Sequence, residues 1–349
     1  MQEIIYSHDM QAEARRLSEC GYDRIFLITE ETVARHCLPL LGDVPETENW
    51  TRITLPATDA HKDLDSLARA WQALQEGGAS RHSLVVNLGG GMITDLGGFA
   101  AATFKRGMDF VNIPTTLLAM VDAAVGGKTG INFNGLKNEL GVFRNARHVI
   151  IDTQFLRTLD AHNLRSGYAE MLKHALLDST DMWARHIGFD LDAPDLGTLQ
   201  LMVAESIRVK ERIVTEDPTE KGIRKALNLG HTIGHALETL ALQQGHPALH
   251  GYFVAWGLVA ELYLSCTQAG FPTERMRQTV QFIRRHYNNY NALPDCKDYG
   301  RLLALMRHDK KNNGGVISMT LLGGIGDCRI DCHPTDEQIL EALDFLREG

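Results

Sequence analysis

A chain of 349 residues is long for a single hydrophobic core, so two domains are expected. Its 44% hydrophobic and 23% charged residues are the balance of an ordinary soluble globular protein, not of a disordered or membrane-embedded one. A net charge of −9 argues against broad nucleic-acid binding, which needs a basic face to displace counterions, although a local anion site would not show in the total.

The chain opens Met-Gln-Glu-Ile-Ile-Tyr, without a basic start and a following apolar stretch, so no secretory signal is expected. No apolar run approaches the ~20 residues of a membrane span. Residues 25–28 (IFLI) read as a strand, and residues 63–75 as a helix with apolar positions three and four apart. Further strands are expected at 83–88, 110–113 and 149–151. Continuous apolar strands separated by helices predict a parallel sheet covered on both faces. That makes residues 1–155 an α/β, Rossmann-like dinucleotide-binding domain. Over residues 156–349 the rhythm changes to a mainly α-helical domain, with helices expected at 163–178, 196–214, 232–244, 253–269 and 274–287. A β-like patch at 316–322 follows, and Pro334-Thr335-Asp336-Glu337 opens a last helix. The cleft of two such domains is the default site. The six cysteines form no CxxC pair. Cys328 and Cys332 with His333 lie in a segment that alternates like a strand, so reduced thiols of a cytoplasmic protein are the reading rather than a metal site.

Strand 83–88 runs into Gly89-Gly90-Gly91, a side-chain-free turn before a helix, which is how backbone N–H groups are offered to a pyrophosphate. Thr94 stands where GxGxxG needs glycine, so a tight turn that only packs helix on strand remains the alternative. Gly127-Lys128-Thr129 imitates the end of a P-loop, but Asp122 occupies the place of its first glycine, so a nucleotide triphosphatase is not expected. Lys128, Lys137 and Asn138 in that glycine-rich stretch suit an anionic, hydroxyl-bearing ligand, or else a solvated loop. His231 and His235 are four apart, hence on one helical face. Thr232 replaces the general base of the zinc proteases, which disfavours peptide hydrolysis. With His250 and Glu170 they compose a plausible zinc shell; taken singly, each histidine is more often structural or exposed, and Glu170 with Lys173 more often a surface pair.

These stretches together resemble the 3-dehydroquinate synthase family of the sugar-phosphate cyclase superfamily. The motifs are LGGGMITDLGGFAAATFKRG from Leu88, IPTTLLAMVDAAVGGKTGIN from Ile113, GLKNELGVF from Gly135, RSGYAEMLKHAL from Arg165, GIRKALNLGHTIGHALE from Gly222, LHG from Leu249 and HDKK from His308. The resemblance implies a dinucleotide-binding domain followed by a helical metal-binding domain. It implies closure of 3-deoxy-D-arabino-heptulosonate 7-phosphate to 3-dehydroquinate in the shikimate route. In that reaction NAD oxidises a hydroxyl transiently, phosphate leaves, the hydride returns and an aldol step closes the ring: a phosphorus–oxygen lyase with no net redox change. By resemblance Glu170, His231 and His250 ligate one divalent metal, zinc or cobalt. His235 takes the hydroxyl proton, and Lys173, Asp122 and Asn138 complete the catalytic set. Lys128, Lys137, Lys210, Arg224 and Asn228 match the substrate pocket, with one of Lys310 and Lys311. Arg106 matches an arginine that approaches the phosphate across a homodimer interface. Glu30, Asp59, Lys62, Gly90, Gly91, Asp95, Thr115, Thr116 and Thr158 match NAD contacts, shared by Asp122, Lys128 and Lys137.

The chain departs from the family pattern at several places. Glu30 stands for Asp, Thr58-Asp59 for Gly-Glu, and Tyr252 for the Glu of His-Gly-Glu. Pro218 follows Asp217 in place of Glu, Ala123-Ala124 replaces Ser-Ser, and His174 replaces Tyr. None removes a matched metal ligand or base, but neighbours of the ligands tune metal sites 10- to 100-fold. The rival readings are another sugar-phosphate cyclase, an iron- or zinc-type polyol dehydrogenase, and a catalytically dead binding protein. The implied partners are a small sugar acid phosphate and a second copy of the chain, with no nucleic acid and no membrane.

Overall fold

In a computed structural model, residues 2–42, 44–134, 136–288, 293–308 and 316–348 are described. The chain divides into two compact units, Met1–Asp160 with Asp195–Ile207, and Ala161–Pro194 with Arg208–Gly349. Among the described residues no helix is long and apolar enough to cross a membrane.

The first unit contains β1 (Glu3–Tyr6), α1 (Met10–Glu19), β2 (Ile25–Glu30), α2 (Glu31–His36), β3 (Thr51–Leu55), α3 (Leu64–Glu76), β4 (Leu84–Gly89), α4 (Gly91–Thr103), β5 (Asp109–Pro114), β6 (Lys128–Phe133), β7 (Leu136–Phe143) and β8 (His148–Ile151). Six of these strands form one all-parallel sheet in the order β1-β8-β5-β4-β2-β3. β4 is buried along its whole length, as a strand covered on both faces must be. The expected helix at 63–75 is α3: Asp63 caps it by accepting from Ser66 N–H at 2.8 Å, and Leu67, Ala70 and Leu74 form its buried stripe. The stretch allowed as a solvated loop is instead an antiparallel hairpin of β6 and β7, with Ile131 opposite Leu140. Its glycines hid it, yet Gly130 and Gly141 are what let the two backbones meet. A Cβ on Gly141 would lie 2.1 Å from the Thr129 carbonyl oxygen.

The second unit holds α5 (Ala161–Asp178), α6 (Thr180–Ile187), the last turns of α7 (Leu196–Glu216), α8 (His231–Gln243), α9 (His250–Leu264), α10 (Thr273–His286), α11 (Tyr299–Arg307), β9 (Met319–Gly324), β10 (Asp327–Cys332) and α12 (Asp336–Glu348). The five expected helices appear within a few residues of their predicted ends. α9 begins earlier, with His250 already in its first turn, and a π turn over Ser265–Ala269 follows it. α6 and α11, short elements between the long ones, carried too few periodic positions to be read. Cys328 and Cys332 lie on β10, which pairs with β9.

Candidate active site

The parallel register brings three strand ends together. Ile28 pairs with Asn87 and Gly89 with Pro114, so β2, β4 and β5 finish side by side. β3 and β4 lie on opposite sides of β2, so Glu30 and Gly89 flank the point where strand order reverses. That crevice is where open parallel sheets bind ligands. Gly90 is the N-cap of α4 and, being glycine, has no side chain with which to cap that helix end. The first-turn N–H groups of α4 are therefore presented at the strand ends, as an anion requires. The space over Gly90 is narrow, since a Cβ there would lie 3.1 Å from Thr116 Cγ2, and Thr115 N–H donates to Gly89 O at 3.0 Å. Glu30 is partly engaged: its carboxylate caps α2, accepting from Thr32 and Val33 N–H at 2.7 and 2.8 Å. Thr158 Oγ1 donates to Phe155 O and lies 3.4 Å from Cys37 Sγ.

Lys62 is buried, and its ammonium pairs with Asp95 on α4 and donates to Asn138 Oδ1 at 2.6 Å. Burial pushes the Asp95 carboxyl above its usual range against the pull of that ammonium. Asn138 sits in the left-handed region at φ 53°, and its N–H donates to Asn132 Oδ1 at 3.0 Å. Lys137 reaches to 3.5 Å from Asp59. Lys128 and Arg106 are exposed, and Asp122 lies in a π turn after β5. Asn132, which also donates from its side chain to Asp59 O, belongs to this group; its signal was the polar residue closing GGKTGIN.

The second group comes from three helices. Gly251 lets α9 press on α5: a Cβ there would lie 1.9 Å from the Ser166 carbonyl oxygen, and Gly251 N–H donates to Ser166 Oγ at 3.0 Å. Gly257 does the same towards α8, with a Cβ 1.9 Å from Gly230 O. Such contacts, which no larger residue permits, bring Glu170 of α5, His231 and His235 of α8 and His250 of α9 to one place. Glu170 is completely buried and Lys173, one turn on, pairs with its Oε2. Its Oε1 is buried and accepts no hydrogen bond among the described residues, with His231 Nε2 at 3.2 Å and His250 Nε2 at 3.7 Å. Ligands about 2.1 Å from a tetrahedral cation lie about 3.4 Å from one another. Both distances from Glu170 Oε1 are those between ligands around one divalent cation, which would also satisfy the orphaned oxygen. His235 joins them: ligand atoms of His231, His235 and His250 all lie within 4.8 Å of one another, and this is the metal-capable cluster found among the described residues.

The electrostatics suit a cation. Burial pushes the Glu170 carboxyl up, but the Lys173 ammonium and His231 outweigh it and hold it well below the usual range. Burial pushes His231 down to about 4, which keeps it in the neutral, ligating form. At His250 burial acts in the same sense, but Glu238 and Glu170 overcome it and lift the imidazole to about 10, so a cation would compete there with a proton. Glu238 Oε2 stands 3.0 Å from His250 Nδ1, fixing the ring as partners of metal-bound histidines do. Glu238 lies seven residues after His231 on the same helical face, a spacing that by itself marks nothing more than a helix position.

Lys210 and Arg224 are buried in the same unit. Asp217 accepts from the N–H groups of Lys221, Gly222 and Arg224, and Arg224 Nη1 donates to Pro218 O at 2.8 Å. Asn228 Nδ2 donates to Glu220 Oε1 at 3.0 Å. The Asp217-Pro218 departure therefore builds the loop that holds Arg224. Tyr252 is buried with its hydroxyl 3.0 Å from His162 Nδ1, and His174 is buried on α5. Lys310 and Lys311 lie outside the described residues.

Comparison with known proteins agrees with both halves. Residues 52–166 match the model of the 3-dehydroquinate synthase N-terminal domain and residues 167–312 that of its C-terminal domain. A 3-dehydroquinate synthase of Parabacteroides distasonis is 52% identical over 349 residues, 100% of this chain and 98% of the relative. Among solved structures, 2-epi-5-epi-valiolone synthase from Streptomyces hygroscopicus, with NAD+ and Zn2+ bound, superposes at TM-score 0.87 with 24% identity, covering 100% of this chain and 97% of that one. A 2-deoxy-scyllo-inosose synthase complexed with carbaglucose-6-phosphate, NAD+ and Co2+ gives 0.85 at 20% identity, covering 97% and 95%. At that identity the structures speak for the fold, and it is the sequence matches over both halves that show the chain to belong to the 3-dehydroquinate synthase family.

Proposed function

We propose that the chain is a 3-dehydroquinate synthase in activity: an NAD- and metal-dependent lyase that turns 3-deoxy-D-arabino-heptulosonate 7-phosphate into 3-dehydroquinate and phosphate. Family membership supports the substrate, and the observation that carries the chemistry is the buried Glu170 Oε1 flanked by two histidine nitrogens at 3.2 and 3.7 Å. NAD supplies a hydride acceptor that returns the hydride, and zinc or cobalt supplies a Lewis acid that acidifies a substrate hydroxyl.

Glu170, His231 and His250 would hold the metal, and Glu238 would keep His250 oriented. A ring nitrogen of His235 accepts the hydroxyl proton, a task neutral imidazole performs near pH 7. Lys173 holds Glu170 ionised and in place. The Gly90–Gly91 turn would hold the pyrophosphate of NAD, with Glu30, Thr115, Thr116 and Thr158 along the strand ends. Lys62 orients Asp95 and Asn138. Asp122, Asp59, Lys128 and Lys137 approach the cofactor and substrate from the hairpin side. Lys210, Arg224 and Asn228 bind the sugar acid, with Lys310 or Lys311. Arg106 serves the phosphate of a second protomer in a cytoplasmic homodimer.

The balance of the reaction is an elimination: a proton leaves the carbon beside the oxidised centre, the carbon–oxygen bond to phosphate breaks, and the returned hydride cancels the oxidation. A panel of the seven-carbon sugar acid phosphate, sedoheptulose 7-phosphate and glucose 6-phosphate, scored for phosphate, tests the assignment. Release from the sugar acid alone, many times per NAD, is expected. Release from another substrate would move the chain to a different cyclase activity, and stoichiometric NADH with no phosphate would make it a dehydrogenase.

A further inference from the structure

Glu261 lies in the apolar helix α9 and is completely buried. A buried carboxylate costs several kcal/mol of lost solvation, so its partners matter. Among those partners are two backbone N–H groups at the start of α8: Gly230 N–H at 2.5 Å and Ile233 N–H at 3.2 Å. The start of a helix leaves such donors without partners, and a side chain at the N-cap normally takes one of them. Here the N-cap is Gly230, in the left-handed region at φ 78° and so close to α9 that a Cβ would lie 2.9 Å from Val254 O. No side chain fits there, and α9 supplies the cap from outside.

The two clamped N–H groups bracket His231. Its ring is oriented in turn, with Nδ1 3.0 Å from Leu229 O and Nε2 3.2 Å from Glu170 Oε1. His250 and Glu261 are eleven residues apart on α9, about three turns, and so share a helical face. One face of α9 thus presents a histidine directly to the cluster and a carboxylate that fixes where the other helix begins.

We infer that Glu261 is a positioning residue of the cation site: by capping α8 from α9 it sets the place of His231 relative to Glu170 and His250. This rests on the reading of those three as metal ligands. The expected effect of removing the charge is a zinc affinity about tenfold weaker, at the lower end of what partners of ligands contribute.

The test compares wild type, Glu261→Gln and Glu170→Ala by competition with a chromophoric zinc chelator, together with thermal unfolding of each protein with and without zinc. Glu261→Gln should bind zinc about tenfold more weakly and show a smaller zinc-induced rise in Tm than wild type. A purely structural role would lower Tm equally in both states and leave the zinc affinity unchanged; that result overturns the inference. Glu170→Ala separates the two readings: if it binds zinc as wild type does, the ligand assignment itself fails. If Glu261→Gln gives no folded protein, Glu261→Asp replaces it. That variant keeps the charge but is one methylene too short to reach both N–H groups, so it should weaken zinc several-fold. Wild-type affinity in Glu261→Asp overturns the inference.

Discussion

The sheet edge of the first unit and the helical cluster of the second prepare for ligands in opposite ways. At the sheet edge the binding groups are backbone: strand register and a glycine turn bring N–H groups to the ends of β2, β4 and β5, and side chains mostly keep out of the way. In the helical unit the groups are side chains on three helices, and the glycines act at a distance by letting α9 touch α5 and α8. A backbone cradle tolerates changes in nearby side chains. A side-chain cluster depends on every helix position that sets its geometry, so its perturbations should be larger and should extend to residues without a ligating atom.

The contrast is sharpest at Glu170. Glu170→Ala should lower turnover by about a thousandfold, the several kcal/mol a Lewis acid supplies, while NAD affinity stays as in wild type. Phosphate release with metal analysis and an NAD titration check both halves. Lys62→Met addresses the other region by leaving the Asp95 carboxylate without its ammonium. Stability should fall by about 3 kcal/mol and NAD should bind more weakly, with zinc affinity unchanged, as denaturant unfolding and chelator competition would show. Weakened zinc binding in that variant would show that the two regions are not separate. Glu238→Gln, which alters the carboxylate beside His250 Nδ1, should weaken zinc about tenfold with little loss of stability.

The smallest effect concerns Asp217, whose carboxylate is held below its usual range by the Gly222 N–H and then by those of Lys221 and Arg224. Because the folded value is depressed, the stabilisation is present above about pH 4, the ordinary carboxylate value, and is lost as pH falls through the lower folded value. The Tm difference between wild type and Asp217→Asn should therefore be visible at pH 7 and shrink as the pH falls below about 4.

The first half of the fold was legible because its strands are continuous apolar runs and its decisive turn is three glycines. The β6–β7 hairpin was not, because glycine and asparagine at pairing positions look like loop until the partner strand is known. In the second half the long helices announced themselves by period. The approach of His231 to Glu170, 61 residues apart, has no signature in local pattern, and their reading as ligands came through family resemblance. Glu238 and Glu261 were missed for a further reason. A carboxylate in a helix is ordinarily a solvated one, and only its burial against α9's histidine or α8's first turn marks it as a fixed part of the site.

The contrast between the two regions depends on Glu170, His231 and His250 holding one cation. A crystal structure of the zinc-loaded protein, with anomalous data collected at the zinc edge, tests it most directly. One peak about 2.1 Å from Glu170 Oε1 and from the Nε2 atoms of both histidines is predicted. Zinc bound elsewhere, with those three side chains left unligated, would contradict the account.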